Sequence, residues 1–277
     1  MILNIAGINI YFEQYLNSDH AYQSKFNNVI LLHGFTGSSE DWKEIIPRLS
    51  ADFNYYAIDL IGHGNSDSPP GKEFYSAASI VGQLKEFSSK VIKEKFILIG
   101  YSMGGRAALS YSTKYPGSIK GLILESSTAG IKNETERIKR IKSDEELSEF
   151  IENHSMEEFI DYWMNLDIFN TQKRFANSKL TAIKNSKINN SKTGLSNSLK
   201  GFGTGIMPDY FAELKNLNFK TLLITGDLDE KFRLINNEMA SSLPYAKHVS
   251  LKNSGHNTHL ETPDAFVNTV NNFLNEL

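Results

Sequence analysis

The sequence of 277 residues contains no cysteine, which excludes disulfide bonds, a catalytic thiol and thiolate metal ligands. No apolar stretch approaches the ~18 residues that a membrane-spanning helix requires. The segment from Met1 to Tyr15 also lacks the basic start, the apolar region and the small-residue cleavage site of a secretory signal peptide. These absences predict a cytoplasmic protein without a membrane span.

A strong net charge is absent as well. The formal charge is -3 at pH 7, which gives no indication of a nucleic-acid partner. Aspartate and histidine are too sparse in any short window to match the ligand spacing of a metal site, and no nucleotide-binding motif occurs. We therefore expect no metal, no cofactor and no nucleic acid. The 40% of hydrophobic and 22% of charged residues are ordinary for a globular protein.

Short apolar runs alternate with helical patterns along most of the chain. Residues 2–5 and 8–15 flank Ala6-Gly7 and predict an opening hairpin. Runs typical of buried parallel strands follow, at residues 29–32, 55–58, 96–99, 119–124, 221–225 and 246–251. Helices are predicted from Ser39 through Leu49, at 77–92 and at 263–274. The alternation predicts an α/β fold with a mostly parallel sheet and helices on both faces.

Residues 129–217 interrupt this alternation because they contain only helical patterns. Ser143-Asp144-Glu145-Glu146 matches a capping box that would open a helix. The polar run 185–193 is typical of a solvated connection. We therefore expect a core formed by residues 1–128 and 218–277, with a helical lid inserted as residues 129–217.

The most informative motif is Gly100-Tyr101-Ser102-Met103-Gly104, which follows the apolar run 96–99 and leads into a helix-forming stretch. A strand, a sharp turn and a helix in this order hold a serine exposed at a sheet edge as a nucleophile or base. Glycine suits positions 100 and 104 because a Cβ there would clash with backbone passing close by. Ser102 is therefore the candidate catalytic serine.

A serine hydroxyl reacts at neutral pH only when a base, itself oriented by a third group, removes its proton. The chain order serine, acid, histidine is met by Asp227 or Asp229 and then by His256. We prefer Asp229, because the residue farther past the strand end reaches a neighbouring loop better; Asp227 would then be a turn or supporting residue. The backbone N–H groups of Phe35 and Met103 are candidates for an oxyanion hole.

Arginine side chains indicate the charge of the substrate. Arg106 lies four residues after the serine and on the same helix face, where its charge opposes the helix dipole unless an anion is present. Arg137 and Arg140 share one face of a predicted helix. That face is either solvated or directed into the cleft, where guanidinium groups would bind carboxylates. Trp163, on pattern alone, is more typical of packing than of ligand contact.

Four segments carry a family resemblance: LHGFTGS at 32–38, GYSMGGR at 100–106, GDLDEKF at 226–232 and SGHN at 254–257. They resemble the α/β-hydrolase superfamily and, within it, the 2-succinyl-6-hydroxy-2,4-cyclohexadiene-1-carboxylate synthases of menaquinone biosynthesis. The likeness extends through residues 124–131 and 201–205. It implies a carbon–oxygen lyase that eliminates pyruvate without cutting an ester, with Ser102, His256 and Asp229 acting together as the base.

The resemblance also implies substrate-binding residues. Tyr101 and Arg106 match a substrate-contacting pair beside the serine. Arg140 and Trp163 match a carboxylate-binding arginine and a tryptophan that closes the pocket. Lys187 stands where the family usually has another arginine, and lysine keeps the charge but loses the bidentate geometry.

Two other classes of function stay open from the sequence. One is a hydrolase on the same scaffold that cleaves an ester or carbon–carbon bond of an anionic substrate. The other is a receptor that uses the same pocket without catalysis, although the intact Ser102, His256 and acid argue against it. The expected partner is a small anionic molecule with several carboxylates.

Overall fold

The structure, a computed structural model, describes residues 1–17 and 27–277. Its strands are β1 (Ile2–Ile5), β2 (Ile8–Tyr15), β3 (Asn27–Leu32), β4 (Phe53–Ile58), β5 (Phe96–Tyr101), β6 (Ile119–Glu125), β7 (Lys220–Gly226) and β8 (Ala246–Leu251). They form one eight-stranded sheet in the order β1-β2-β4-β3-β5-β6-β7-β8. β1 and β2 form the predicted hairpin, and β2 joins β4 antiparallel. β3 to β8 are parallel.

Helices follow most of the parallel strands, as the alternation predicted. They are α1 (Ala77–Phe87), α2 (Met103–Lys114), α3 (Glu134–Asn153), α4 (Met156–Met164), α5 (Asn177–Ile188), α6 (Lys192–Phe202), α7 (Glu230–Ser242), α8 (Thr258–Glu261) and α9 (Pro263–Asn275). Within the two described ranges, no helix is both long and apolar enough to cross a membrane.

The sheet is covered on both faces because its strands are apolar on both sides. Ile30 and Leu32 of β3 belong to one buried cluster, which includes residues of α1, α2 and α7. Val29 and Leu31, which alternate with them, belong to a second cluster with Trp42 and residues of α9. Since successive side chains of a strand point to opposite faces, the two clusters are the two layers of the core. The predicted α/β fold is confirmed.

The stretch between β6 and β7 consists of helices α3 to α6 and contains no strand, and all of it lies within the described residues. It has a small apolar cluster of its own, formed by Ile151, Phe159, Ile160, Leu195 and Leu199. Phe35, from the loop after β3, packs against this cluster. The helical stretch is therefore packed onto the edge of the sheet where β3 ends.

Two predicted local structures are wrong. Instead of one helix from Ser39 to Leu49, two short 3₁₀ turns form, Ser39–Trp42 and Ile46–Arg48. Pro47 lacks an N–H and clashes with the preceding turn, which prevents a continuous α-helix. Ser143 does not open a helix, because it lies within the uninterrupted α3.

The true helix caps lie elsewhere in the same stretch. Asn133 caps α3 by accepting a hydrogen bond from the backbone of Glu136. The capping box belongs to α4, where Ser155 and Glu158 exchange hydrogen bonds with each other's backbone. The Ser-x-x-Glu pattern at Ser143 is therefore a polar sequence inside a helix and has no capping function.

The polar run 185–193 is the predicted solvated connection only in part, since Asn185, Ser186 and Asn189 are exposed. Its first part continues α5, and Asn190 is buried. The Asn190 side chain donates to the Thr36 carbonyl at 2.9 Å and accepts from the Gly64 amide at 3.0 Å. Satisfied hydrogen bonds make this burial favourable. They also fix the helical stretch to the loops that follow β3 and β4.

Two histidines, His33 and His63, are buried side by side with their ring centroids 5.1 Å apart. His33 Nδ1 lies 2.7 Å from the Gly34 carbonyl, and its Nε2 accepts from the Leu60 amide at 2.9 Å. Burial lowers the pKa of His63 to about 3, and the neighbouring His33 shifts it in the same direction. Burial also lowers the pKa of His33. Both rings are therefore neutral in the folded protein at pH 7.

We predict that the stability of the fold falls with acid through these rings. Below a pH of about 6.5 the unfolded chain binds a proton at each histidine that the folded chain does not bind. For His63 alone, this lowers the free energy of unfolding by about 1.4 kcal/mol per pH unit down to a pH of about 3. His63→Gln should flatten the dependence of Tm on pH in this range. An equal slope in wild type and His63→Gln would contradict the prediction.

Candidate active site

Ser102 lies in a strained turn between β5 and α2, with φ 49° and ψ -106°. The turn is held from both neighbouring strands. The Ser102 amide donates to the Glu125 carbonyl at 2.8 Å, and the Ser127 hydroxyl donates to the Ser102 carbonyl at 3.0 Å. A Cβ on Gly104 would lie 2.2 Å from the Leu32 carbonyl oxygen, so only glycine permits this close packing of α2 on β3.

His256 connects Ser102 to an acid. His256 Nε2 lies 3.1 Å from Ser102 Oγ, and His256 Nδ1 lies 2.7 Å from Asp229 Oδ2. The other Asp229 oxygen accepts from the Phe232 amide at 3.2 Å, as the N-cap of α7. Asp227 instead accepts from the Ser254 amide at 3.3 Å. Of the two aspartates that the sequence left open, Asp229 is the one that contacts the histidine.

Aromatic rings surround His256, which is only 2% exposed. The rings of Phe232 and Tyr101 lie 4.5 and 5.5 Å from it between centroids, and that of Phe169 lies 6.4 Å away. The packing restricts rotation of the imidazole and excludes water from the His256–Asp229 contact. Exclusion of water strengthens this electrostatic interaction.

Phe35 and Met103, the candidate oxyanion-hole residues, both line the cavity that contains Ser102. Met103 is the first residue of α2, so its N–H has no acceptor within the helix. The ring of Phe35 packs edge-on against Trp163 at 5.1 Å. The residue thus joins the loop after β3 to the helical stretch.

A cavity of about 440 Å³ lies between the sheet edge and helices α3, α4 and α6. The sequence-predicted residues that line it are Tyr101, Ser102, Met103, Phe35, Arg106, Arg140, Trp163 and His256. Asp229 reaches the site through His256. The cavity is therefore lined both by residues that follow the sheet strands and by residues of the helical stretch between β6 and β7.

Arg106 is buried in the wall of this cavity, with 8% of its surface exposed. Its Nη1 donates to the Phe202 carbonyl, and its guanidinium carbon lies 4.8 Å from the centroid of the Phe202 ring. Burial and, to a lesser extent, the positive charge of Arg140 lower the pKa of Arg106 to about 9, although Asp144 opposes the shift. The group is still protonated at pH 7. It is a fixed, poorly solvated cation.

Arg140 and Arg137 lie on the same helix, but only Arg140 lines the cavity. Arg140 Nε donates to Asp144 Oδ1 at 2.8 Å. Burial raises the pKa of Asp144, although Arg140 and Arg106 oppose the increase. Arg137 instead pairs with Glu134 at 3.0 Å. The helix face that the sequence left undecided is therefore split, with one arginine in the cavity and the other at the surface.

Lys187 is not brought into the cavity that contains Ser102. It lines an adjoining cavity of about 70 Å³, together with Asp41 and Gln172. Tyr101 and Trp163 border both cavities. Lys187 and Ser102 therefore line separate cavities that share these two aromatic residues.

Sequence reasoning missed several residues of the site. Asp144, Phe169 and Lys231 all line the main cavity. Lys231 had a usable signal, because it stands two residues after Asp229, whereas Asp144 appeared to be part of a helix cap. In residues 1–17 and 27–277, no group of three or more histidines and carboxylates is arranged to hold a metal ion.

Comparison with known proteins agrees with this geometry. Residues 27–263 match the alpha/beta hydrolase fold family. The solved structure of MenH from S. aureus superposes with a TM-score of 0.90 at 29% identity, over 96% of this chain and 98% of that one.

Sequence relatives give the same assignment. A candidate 2-succinyl-6-hydroxy-2,4-cyclohexadiene-1-carboxylate synthase of Bacillus subtilis (strain 168) is 38% identical over 249 residues, which is 90% of each chain. The synthase of that name from Salmonella paratyphi B is 30% identical over 247 residues, 89% of this chain and 93% of that one. The chain therefore belongs to the α/β-hydrolase fold family and, within it, to the 2-succinyl-6-hydroxy-2,4-cyclohexadiene-1-carboxylate synthases.

Proposed function

We propose that the protein is a carbon–oxygen lyase of menaquinone biosynthesis. It eliminates pyruvate from 2-succinyl-5-enolpyruvyl-6-hydroxy-3-cyclohexene-1-carboxylate and leaves 2-succinyl-6-hydroxy-2,4-cyclohexadiene-1-carboxylate. The observation that carries the proposal is a single cavity in which Ser102, hydrogen-bonded to His256, is accompanied by the guanidinium groups of Arg106 and Arg140. The substrate is a small polyanion with carboxylates on its ring, its succinyl group and its enolpyruvyl group.

Ser102 acts as the base in the first step. His256 Nε2, 3.1 Å from Ser102 Oγ, accepts the hydroxyl proton, and the oxygen removes the proton at ring carbon C2, which the succinyl ketone acidifies. Asp229 stabilises the imidazolium that forms. The N–H groups of Phe35 and Met103 stabilise the negative charge that develops on the ketone oxygen.

The bond changes balance without a further reactant. The electron pair from C2 forms the C2–C3 double bond, the C3–C4 double bond moves to C4–C5, and the bond from C5 to the enolpyruvyl oxygen breaks. The oxygen leaves with that electron pair as pyruvate enolate, and a proton added at its methylene carbon gives pyruvate. No water is consumed, so the reaction requires no acyl intermediate on Ser102.

The residues that bind the substrate come from both parts of the chain. Arg106 and Arg140 bind carboxylates, Tyr101 contacts the substrate beside the base, and Trp163 closes the pocket. Lys187 adds positive charge from the adjoining cavity, without the direct access that the two arginines have. Residues 129–217 act as the lid over a core of residues 1–128 and 218–277, because they supply Arg140 and Trp163 to a site whose base belongs to the core.

The reaction itself is tested by incubating the purified protein with the enolpyruvyl substrate and measuring pyruvate. Wild type should release pyruvate, and Ser102→Ala should lower kcat by about 1,000-fold or more, because the base is removed. Ser89→Ala, at an exposed position, is the matched control and should keep wild-type activity. Absence of pyruvate release by wild type would contradict the proposal. Rapid hydrolysis of a neutral p-nitrophenyl ester, insensitive to Arg106→Ala, would favour a hydrolase instead.

The two aspartates offer a matched pair for the acid. Asp229→Asn should lower kcat by about 1,000-fold or more, because the amide cannot stabilise the imidazolium or hold the required tautomer of His256. Asp227→Asn should stay within about twofold of wild type, since that side chain accepts from the Ser254 amide and not from His256. Comparable losses in the two variants would show that the acid is misassigned.

The two arginines of α3 test carboxylate binding. Arg140→Ala should raise KM for the substrate about 10- to 100-fold, because a charge-assisted contact contributes roughly 1.5–3 kcal/mol. Arg137→Ala, three residues away and paired with Glu134, should change KM by less than about twofold. If both variants kept the wild-type KM, Arg140 would have no part in substrate binding.

A further inference from the structure

We propose that Glu125 and His259 form a positioning pair that holds the imidazole of His256 against Ser102. The inference deepens the proposed function, on which it rests, by adding two residues that touch neither the substrate nor the reacting atoms. Neither residue is among the site residues that the sequence predicts. Both are buried, with 0% and 3% of their surfaces exposed.

The main chain of Glu125 supports the serine. Glu125 is the last residue of β6, and it pairs with Tyr101 at the end of β5. Its carbonyl oxygen accepts the Ser102 amide at 2.8 Å. The backbone position of Ser102 is therefore fixed directly by the residue that also bears the buried carboxylate.

The side chain of Glu125 supports the histidine. One carboxylate oxygen accepts from the Thr258 hydroxyl at 2.6 Å and from the His259 amide at 2.9 Å. The other contacts His259 Nδ1 at 2.7 Å. Burial alone would raise the pKa of Glu125, but His259 and the hydrogen bonds lower it, so the group stays ionised. All three side-chain contacts come from the short segment that follows His256.

The ring of His259 is held on two further sides. It stacks on Trp42 at 4.5 Å between centroids with an interplanar angle of 29°, and it meets the edge of Tyr101 at 5.1 Å and 83°. Tyr101 in turn contacts the ring of His256 at 5.5 Å. Only two residues separate His256 from His259, so a displacement of His259 also displaces His256.

Glu125 thus contacts the backbone of Ser102 through its carbonyl and the segment after His256 through its carboxylate. Both contacts are independent of the hydrogen bond between Ser102 and His256 themselves. Asp229 orients the imidazole ring of His256, whereas Glu125 fixes the backbone that carries this ring relative to the backbone of Ser102. A proton transfer across 3.1 Å depends on that relative position, because a misplacement of about 1 Å can cost about 100-fold in rate.

The test uses Glu125→Gln, which keeps the shape but removes the charge, and His259→Gln, which keeps a donor but removes the ring. The matched control is His248→Gln, because His248 also has two side-chain hydrogen bonds, at 2.8 and 2.7 Å, but lies outside the cavity. Two rates are measured, the modification of Ser102 by a fluorophosphonate and the release of pyruvate. Circular dichroism and Tm establish that each variant is folded.

In both variants, phosphonylation and kcat should fall about 10- to 100-fold, with KM within about twofold of wild type. The double variant should be no slower than the slower single variant, because residues that act as one unit are not additive. His248→Gln should retain both rates.

Wild-type rates in folded Glu125→Gln and His259→Gln would overturn the inference, as would fully additive losses in the double variant. If the phosphonylation rate and kcat fell only in proportion to the fraction of folded protein, the pair would have a purely structural role, and the inference would also fail. If Glu125→Gln fails to fold, His259→Gln decides alone. If wild type reacts with the fluorophosphonate but releases no pyruvate, the proposed function fails, and the phosphonylation rates still decide whether the pair positions His256.

Discussion

The strained backbone at Ser102 is the constraint on which the site depends. A non-glycine residue at φ 49° costs of order 1–3 kcal/mol and persists only where its surroundings determine it. The strain is offset by the end of strand β6, through the Glu125 carbonyl, and by the loop that follows it, through the Ser127 hydroxyl. It is also offset by strand β3, which Gly104 allows to pass close by. Since β3 and β6 flank β5, the strand order itself directs the serine hydroxyl into the cavity.

An excess of positive charge is the second property of the cavity. Arg106, Arg140 and Lys231 line it together with two carboxylates, Asp144 and Glu146, and burial weakens the tendency of Asp144 to ionise. Burial of a cation without a partner is unfavourable, as the lowered pKa of Arg106 shows. A substrate with several carboxylates would supply countercharge to both guanidinium groups, of which Arg140 already contacts Asp144, whereas a neutral ester would supply none. Under the proposed function, this arrangement favours anionic substrates over neutral ones.

The sequence predicts those features that depend on neighbouring residues. Buried strands, the turn at Ser102 and the position of His256 after the last strand all have local signals, and the structure contains each of them. Prediction fails where distant residues decide. Asn190 appears solvated in the sequence, but it is buried by hydrogen bonds to residues far away in the chain. Glu125 ends an ordinary apolar run, and its partner His259 lies 134 residues away.

Proton abstraction and nucleophilic attack make the same demand on Ser102 and His256, so the hydrogen bond between them does not by itself distinguish a lyase from a hydrolase. A lyase and a hydrolase must therefore differ in which atom of the substrate is held next to Ser102 Oγ. Arg106 is fixed by the Phe202 carbonyl and ring, and Arg140 reaches the same cavity from the helical stretch. Two cations anchored on different elements can hold two carboxylates of one substrate and so fix its ring against Ser102. In the proposed reaction, an acidic ring proton of the substrate, rather than a carbonyl carbon, would then lie next to Ser102.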